Sequence, residues 1–87
     1  MKIEALTLLE TDNHECPNIG TVIYGNNTRE TVERKIKEAI QSHFDNDIIQ
    51  MGRIDWTALE GHMDTEILVD TEDGINNRVS IQRTWIY

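Results

Sequence analysis

The sequence predicts an α+β fold: a single small domain, residues 1–87, in which one amphipathic helix packs on an antiparallel sheet of four to five strands. The expected order of elements is β-β-α-β-β-β. Between residues 28 and 44, apolar side chains recur at spacings of three and four, which is typical of a helix. On both sides of that segment, short runs of β-forming residues alternate with turn-forming Gly, Asn and Asp, which indicates strands.

The first strand is predicted at residues 2–10. Three of the last five residues of this segment are leucines, and such density indicates a strand covered on both faces, in the middle of the sheet. A connection rich in turn residues follows, and residues 22–24 predict a second strand before residues 25–27 interrupt the chain again. We expect the two strands to form a hairpin with a long connection.

The helix is predicted at residues 28–44, with Asn27 as its N-cap and Glu30 reaching back to the cap amide. One stripe of its surface is expected to pack against the sheet. The stripe consists of Val32, Ile36, Ala39, Ile40, His43 and Phe44. Off the stripe, acids that precede bases by four residues are expected to form ion pairs, namely Glu30 with Arg34 and Glu33 with Lys37.

Residues 48–61 allow one short strand, two strands or a helical turn. We expect a strand near residues 48–54, followed by a single helical turn that begins after Asp55 and ends at Gly61.

The last two strands are predicted at residues 62–70 and 78–87, joined by a turn at residues 73–74. The proposed register pairs Ile67 with Ile81 and Val69 with Val79. It places six side chains on the core face: Met63, Ile67, Val69, Val79, Ile81 and Trp85. Residues 84–87 are apolar up to the last residue and predict an edge strand, through which a homodimer or a partner's strand could pair.

The net charge of −8 is confined to one part of the chain. Residues 45–73 hold nine acids and one base, Arg53, whereas the remaining residues hold seven acids and seven bases. The hairpin register places Asp64, Glu66 and Asp70 on the face away from the core. The predicted residues opposite them offer no cation: Ser80, Gln82 and Thr84. Such a charge disfavours direct binding of nucleic acid or of a membrane, and it favours a larger protein with a basic surface.

Two interpretations of this acidic segment remain open. It is either a solvated face that aids solubility or a docking surface that competes with nucleic acid for a basic groove. Trp56 is expected to be exposed and to anchor such an interface, although it could instead close the end of the core. The predicted partner-binding residues are Asp55, Trp56, Glu60, Asp64, Glu66, Asp70, Glu72 and Asp73.

Residues that could carry chemistry are sparse. His14, Glu15 and Cys16 form the only local cluster of metal-ligand types, but the paired spacing of a zinc site is missing, as is a third residue for a Cys–His nucleophile. His43 is expected to be a histidine at the core boundary and His62 only a distant possible ligand. We therefore predict no metal, no cofactor, no catalytic residue and no enzymatic activity. A chain this short is also expected to need a second subunit to enclose a pocket of several hundred Å³.

Cys16 is the only cysteine, so no intramolecular disulfide can form, and a cytoplasmic location is expected. In size, acidity and α+β plan the chain resembles small phage and mobile-element proteins that inhibit host nucleases, including anti-CRISPR and anti-restriction proteins. No shared motif carries this resemblance, so it assigns no residues. It implies a non-enzymatic inhibitor that mimics nucleic acid. The alternative is a homo-oligomer that binds a small ligand or nucleotide between its subunits, and an enzyme is the third possibility.

Overall fold

The computed structural model describes residues 3–11, 18–45, 48–61, 63–72 and 76–86. They form a five-stranded antiparallel sheet with one long helix and one short helix, which confirms the predicted fold class. In chain order the elements are β1 (Ile3–Glu10), β2 (Asn18–Ile23), α1 (Arg29–His43), β3 (Ile48–Met51), α2 (Trp56–Glu60), β4 (Thr65–Thr71) and β5 (Asn76–Ile86). Neither helix in these ranges is long and apolar enough to cross a membrane.

The strands lie in the order β2-β1-β5-β4-β3, so β5 is the central strand. As a whole, β5 is therefore not the predicted edge strand, although its last described residues pair on one side only. At eleven residues, β5 is long enough to pair with β1 over residues 79–86 and with β4 over residues 76–81. Within the described ranges, residues 82–86 of β5 pair on the β1 side alone. β1 lies between β2 and β5, and its Ala5 and Leu6 are buried on opposite faces, as the dense leucine run predicted.

The register of the last hairpin differs from the prediction by two residues. Thr65 lies opposite Ile81, and Ile67 lies opposite Val79. The shift makes the connection between the strands shorter than expected. Because side chains alternate between faces with a period of two, a shift of two residues leaves every side chain on its predicted face. The buried positions of Ile67, Val69, Val79 and Ile81 are accordingly confirmed.

Helix α1 packs its predicted stripe against one face of the sheet. Val32, Ile36 and Ile40 are fully buried, in one cluster with side chains from four strands and from the segment around α2. The other members of that cluster are Leu6, Leu8, Val22, Ile54, Leu59, Ile67, Val69, Val79 and Ile81. The helix approaches β2 closely, since a Cβ atom placed on Gly20 would lie 3.3 Å from Cβ of Ala39.

The N-cap of α1 is Thr28, one residue after the predicted Asn27. The Thr28 hydroxyl accepts a hydrogen bond from the backbone N–H of Thr31 at 3.2 Å, which satisfies an otherwise unpaired helix donor. The side chain of Asn27 donates instead to the carbonyl of Ile23 at 3.2 Å.

One of the two predicted helical ion pairs is present, between Glu33 and Lys37 at 4.0 Å. Arg34 pairs with Glu38 at 3.8 Å rather than with Glu30. Both observed pairs span four residues, so Arg34 had a possible partner on either side along the helix.

The segment after β3 follows the predicted path, although β3 itself ends at Met51. The Asp55 carboxylate accepts a hydrogen bond from Ala58 N–H at 3.0 Å and caps α2, which ends at Gly61. Two apolar residues predicted in the core are exposed instead: Met63 is 65% exposed and Trp85 is 56% exposed. Met63 precedes the start of β4, and Trp85 is next to last in β5, so both lie at ends of the ladder, where neighbours are fewer.

Candidate functional site

The described carboxylates inside residues 45–73 differ from those outside in their ion pairs, just as the two parts of the chain differ in net charge. Outside residues 45–73, four of the five described acids lie within 4 Å of a basic side chain, namely Glu4, Glu10, Glu33 and Glu38. Inside that segment, only Glu60 does. Six described acids there have no ion pair to another described residue: Asp45, Asp55, Asp64, Glu66, Asp70 and Glu72.

The predicted partner-binding residues do not share one face. Asp55, Trp56 and Glu60 belong to the α2 region, on the side of the sheet that carries α1. Glu66 and Asp70 project from the opposite face of β4. Of the remaining three, Asp64 precedes β4, Glu72 follows it, and Asp73 lies outside the described residues. The sheet therefore divides the predicted surface into two parts.

The outward face of β4 also has a cation nearby, which contradicts the sequence prediction. With the observed register, Glu66 lies opposite Ser80 rather than Gln82, and Leu68 lies opposite Arg78. Arg78 is therefore a diagonal neighbour of both Glu66 and Asp70 and partly offsets their charge. We call the outward-facing residues Glu66, Leu68 and Asp70 the β4 strip. Its central Leu68 is 57% exposed.

A second candidate site is a cleft of about 360 Å³ between the end of β2, the start of α1, and α2. Charged, aromatic and aliphatic side chains line it: Glu4, Tyr24, Arg29, Val32, Trp56 and Glu60. We call this space the aromatic cleft. It forms within one chain but is open to solvent, so the expectation that an enclosed pocket needs a second subunit stays a prediction. Another groove, of about 350 Å³, lies along β3 and α1, but its lining contains no aromatic residue or carboxylate.

The turn between β2 and α1 forms one wall of the aromatic cleft. The backbone N–H groups of Tyr24 and Gly25 both donate to the carbonyl of Glu4, at 2.9 and 3.0 Å. Asn26 has a positive φ of 63°, a left-handed conformation that asparagine tolerates better than most residues. These features hold Tyr24 beside the first strand.

Two arginines contact the aromatic rings of this region. The guanidinium of Arg29 lies 5.2 Å from the ring centroid of Trp56 and forms an ion pair with Glu60. The hydrogen bond that Arg29 donates to the Glu60 carboxylate, together with the negative charge of Glu60, raises the pKa of Arg29 above its usual value. The guanidinium of Arg83 lies 4.8 Å from the ring centroid of Tyr24 and forms an ion pair with Glu4. Each ring thus contacts a cation that is neutralised by a carboxylate.

Trp56 takes the core-packing position that the sequence left open, and its role as an interface anchor stays a prediction. It is half-buried and packs against the core, and it also lines the aromatic cleft. Its indole Nε1 lies 3.5 Å from the Glu33 carboxylate on α1. Sequence reasoning did not connect Trp56 with Arg29 or Tyr24, because the three lie on separate elements and no local spacing relates them.

The remaining candidates for chemistry give no site in the described ranges. His14, Cys16 and His62 lie outside them. His43 is exposed rather than at the core boundary as predicted, although its Nε2 lies 2.7 Å from the Glu10 carboxylate and its ring meets that of Phe44 edge to face. Among the residues described, no group of three or more His, Cys, Asp or Glu side chains could hold a metal ion.

Comparison of the chain with protein-family models, curated proteins and solved structures finds no match. The two candidate sites are therefore interpreted from their own residues: the β4 strip through its charge and exposed Leu68, and the aromatic cleft through its rings and ion pairs.

Proposed function

We propose that the protein is a non-enzymatic acidic binding protein that blocks a basic, nucleic-acid-binding surface of a larger protein. The observation that carries this proposal is the uneven pairing of the carboxylates. Elsewhere in the described chain, four of five acids lie within 4 Å of a basic side chain, one of them a histidine, whereas six acids in residues 45–73 have no ion pair to another described residue. Carboxylates without internal cations leave their field available to a cationic partner.

The β4 strip is the part of this surface best suited to contact a partner. Its exposed Leu68 lies between Glu66 and Asp70 on a strand, and an apolar centre with a charged rim is typical of protein interfaces. Arg78 is a diagonal neighbour of both acids and weakens their combined field, so the attraction also depends on Asp64, which precedes the strand, and Glu72, which follows it. A strand holds these groups at set distances, which lowers the entropy lost on binding.

The proposed setting is the cytoplasm, and the proposed partner is a nuclease of a host defence system, inhibited because the acidic surface occupies its nucleic-acid groove. The resemblance in size, charge and fold plan to small phage inhibitors supports this setting. Competition of this kind would be electrostatic, so both the association rate and the affinity should fall as salt rises.

The test is capture of partners from the lysate of the native host, with matched charge variants. Glu66→Gln/Asp70→Asn removes two charges from the β4 strip, and Glu30→Gln/Glu38→Gln removes two from the exposed surface of α1. We expect the wild type and the α1 variant to retain one basic protein that added DNA or RNA displaces, and the β4 variant to lose most of it. Equal retention by both variants would show that the β4 strip is only a solvated face.

A further inference from the structure

We infer that the aromatic cleft binds the guanidinium of an arginine on the surface of the partner. This inference rests on the proposed function, because it assigns a specific contact to a basic partner. Three features support it: a guanidinium already lies against the Trp56 ring and the Glu60 carboxylate, Glu60 has no base within 4 Å other than Arg29 among the described residues, and the walls are held in place before binding.

The contact of Arg29 with Trp56 and Glu60 shows that the cleft accommodates a guanidinium. A planar guanidinium can stack on an indole while its N–H groups bind a carboxylate, which a compact ammonium does less well. The Arg29 and Glu60 side chains are 53% and 52% exposed. An ion pair so accessible to water contributes little to stability, so the Arg29 side chain can move into solvent when another arginine takes its place.

The charge of the cleft favours a cation over an anion. Its lining contains two carboxylates, Glu4 and Glu60, and one base, Arg29. Glu4 is paired with Arg83, so when Arg29 moves out the Glu60 carboxylate alone loses its base, and the wider chain adds its net charge of −8. A nucleotide phosphate would be repelled by this field, whereas a partner's arginine would be attracted.

The walls of the cleft are positioned by contacts outside it. Arg83 supports Tyr24 and holds the Glu4 carboxylate, and it also donates a hydrogen bond to the carbonyl of Leu59 in α2. Trp56 packs against the core beside the capped first turn of α2. A site that needs little rearrangement loses less entropy when a side chain enters it.

The experiment titrates N-acetyl-arginine amide into the Trp85→Phe variant, in which Trp56 is the only tryptophan and its fluorescence reports on the cleft. N-acetyl-citrulline amide has nearly the same shape without the charge, and N-acetyl-lysine amide has the charge without the planar fork. We expect saturable binding of the arginine probe at millimolar concentrations, at least tenfold weaker binding of the citrulline probe, and weaker binding of the lysine probe.

Two variants test the displacement of Arg29. Arg29→Ala should bind the arginine probe several-fold more tightly, since it removes the internal competitor, and Glu60→Gln should bind it several-fold more weakly. Arg34→Ala, which removes another exposed arginine of α1, is the matched control and should have no effect. The inference would be overturned if the citrulline probe or the lysine probe bound as tightly as the arginine probe. It would also be overturned if Arg29→Ala left the affinity for the arginine probe unchanged.

Failure of this inference and failure of the proposed function give different results. If only the cleft assignment is wrong, the arginine probe does not bind, while the lysate experiment still distinguishes the β4 variant from the α1 variant. If only the docking surface is wrong, the two lysate variants behave alike, while the arginine probe still binds with the expected dependence on Arg29 and Glu60.

Discussion

The guanidinium of Arg83 on β5 lies 4.8 Å from the ring centroid of Tyr24, the residue that follows β2. The intervening strand β1 supplies Glu4, which forms an ion pair with Arg83. Arg83 also donates a hydrogen bond to the carbonyl of Leu59 in α2. One side chain thus connects the ends of three strands with the short helix, next to the aromatic cleft.

Glu4→Gln is expected to destabilise the protein by about 3–5 kcal/mol, because it removes the carboxylate charge that pairs with the mostly buried guanidinium of Arg83. The Glu4 and Arg83 side chains are 16% and 14% exposed. Urea unfolding measures the loss, and Glu38→Gln in the exposed Arg34 pair should cost less than about 1 kcal/mol. In a double-mutant cycle, the double variant Glu4→Gln/Arg83→Met should lose less free energy of unfolding than the two single variants lose together. Strict additivity would contradict the proposed coupling.

Ile36→Ala is expected to lower the free energy of unfolding by about 2–5 kcal/mol, since Ile36 is fully buried at the centre of the α1 stripe and its loss creates a cavity. Gln41→Ala, at an exposed position of the same helix, is the control and should change stability by less than about 0.5 kcal/mol. Denaturant titration of both variants provides the measurement. A loss below about 0.5 kcal/mol in Ile36→Ala would mean that the stripe does not pack against the sheet.

Gly20→Val is expected to cost about 1–3 kcal/mol, because the added side chain meets Cβ of Ala39 and must push α1 away from β2. Thr21→Val, at the next position and exposed on the other face, is the matched control. This substitution also introduces a valine into β2, but its side chain does not contact the helix. Thermal unfolding should show a lower midpoint for Gly20→Val alone, and similar midpoints would disprove the close approach.

The two tryptophans are expected to differ in their access to solvent, in the opposite sense to the sequence prediction. Trp85 is exposed, whereas Trp56 is half-buried against the core. Acrylamide should therefore quench the fluorescence of Trp56→Phe, which retains Trp85, more strongly than that of Trp85→Phe. Stronger quenching of the variant that retains Trp56 would instead support the sequence prediction that Trp56 is the more exposed of the two.

Sequence patterns predicted the elements whose structure depends on near neighbours. The apolar period of α1 identified Val32, Ile36 and Ile40 as buried, and Asp55 and Gly61 marked the two ends of α2. Such features follow from backbone geometry and from hydrogen bonds that close within one helical turn. The faces of β4 and β5 were also predicted correctly, because the observed register differs by two residues and an even shift leaves every side chain on its face.

The sequence by itself determined the fold class, the buried stripe of α1 and the concentration of negative charge in residues 45–73. Only the tertiary structure decided the central place of β5, the pairing of Leu68 with Arg78, and the contacts that build the aromatic cleft. The physical reason is the separation along the chain between the residues that interact to form each feature. Periodicity and capping act within a few residues, whereas an ion pair such as Arg29 with Glu60, 31 residues apart, exists only after packing brings the two side chains together.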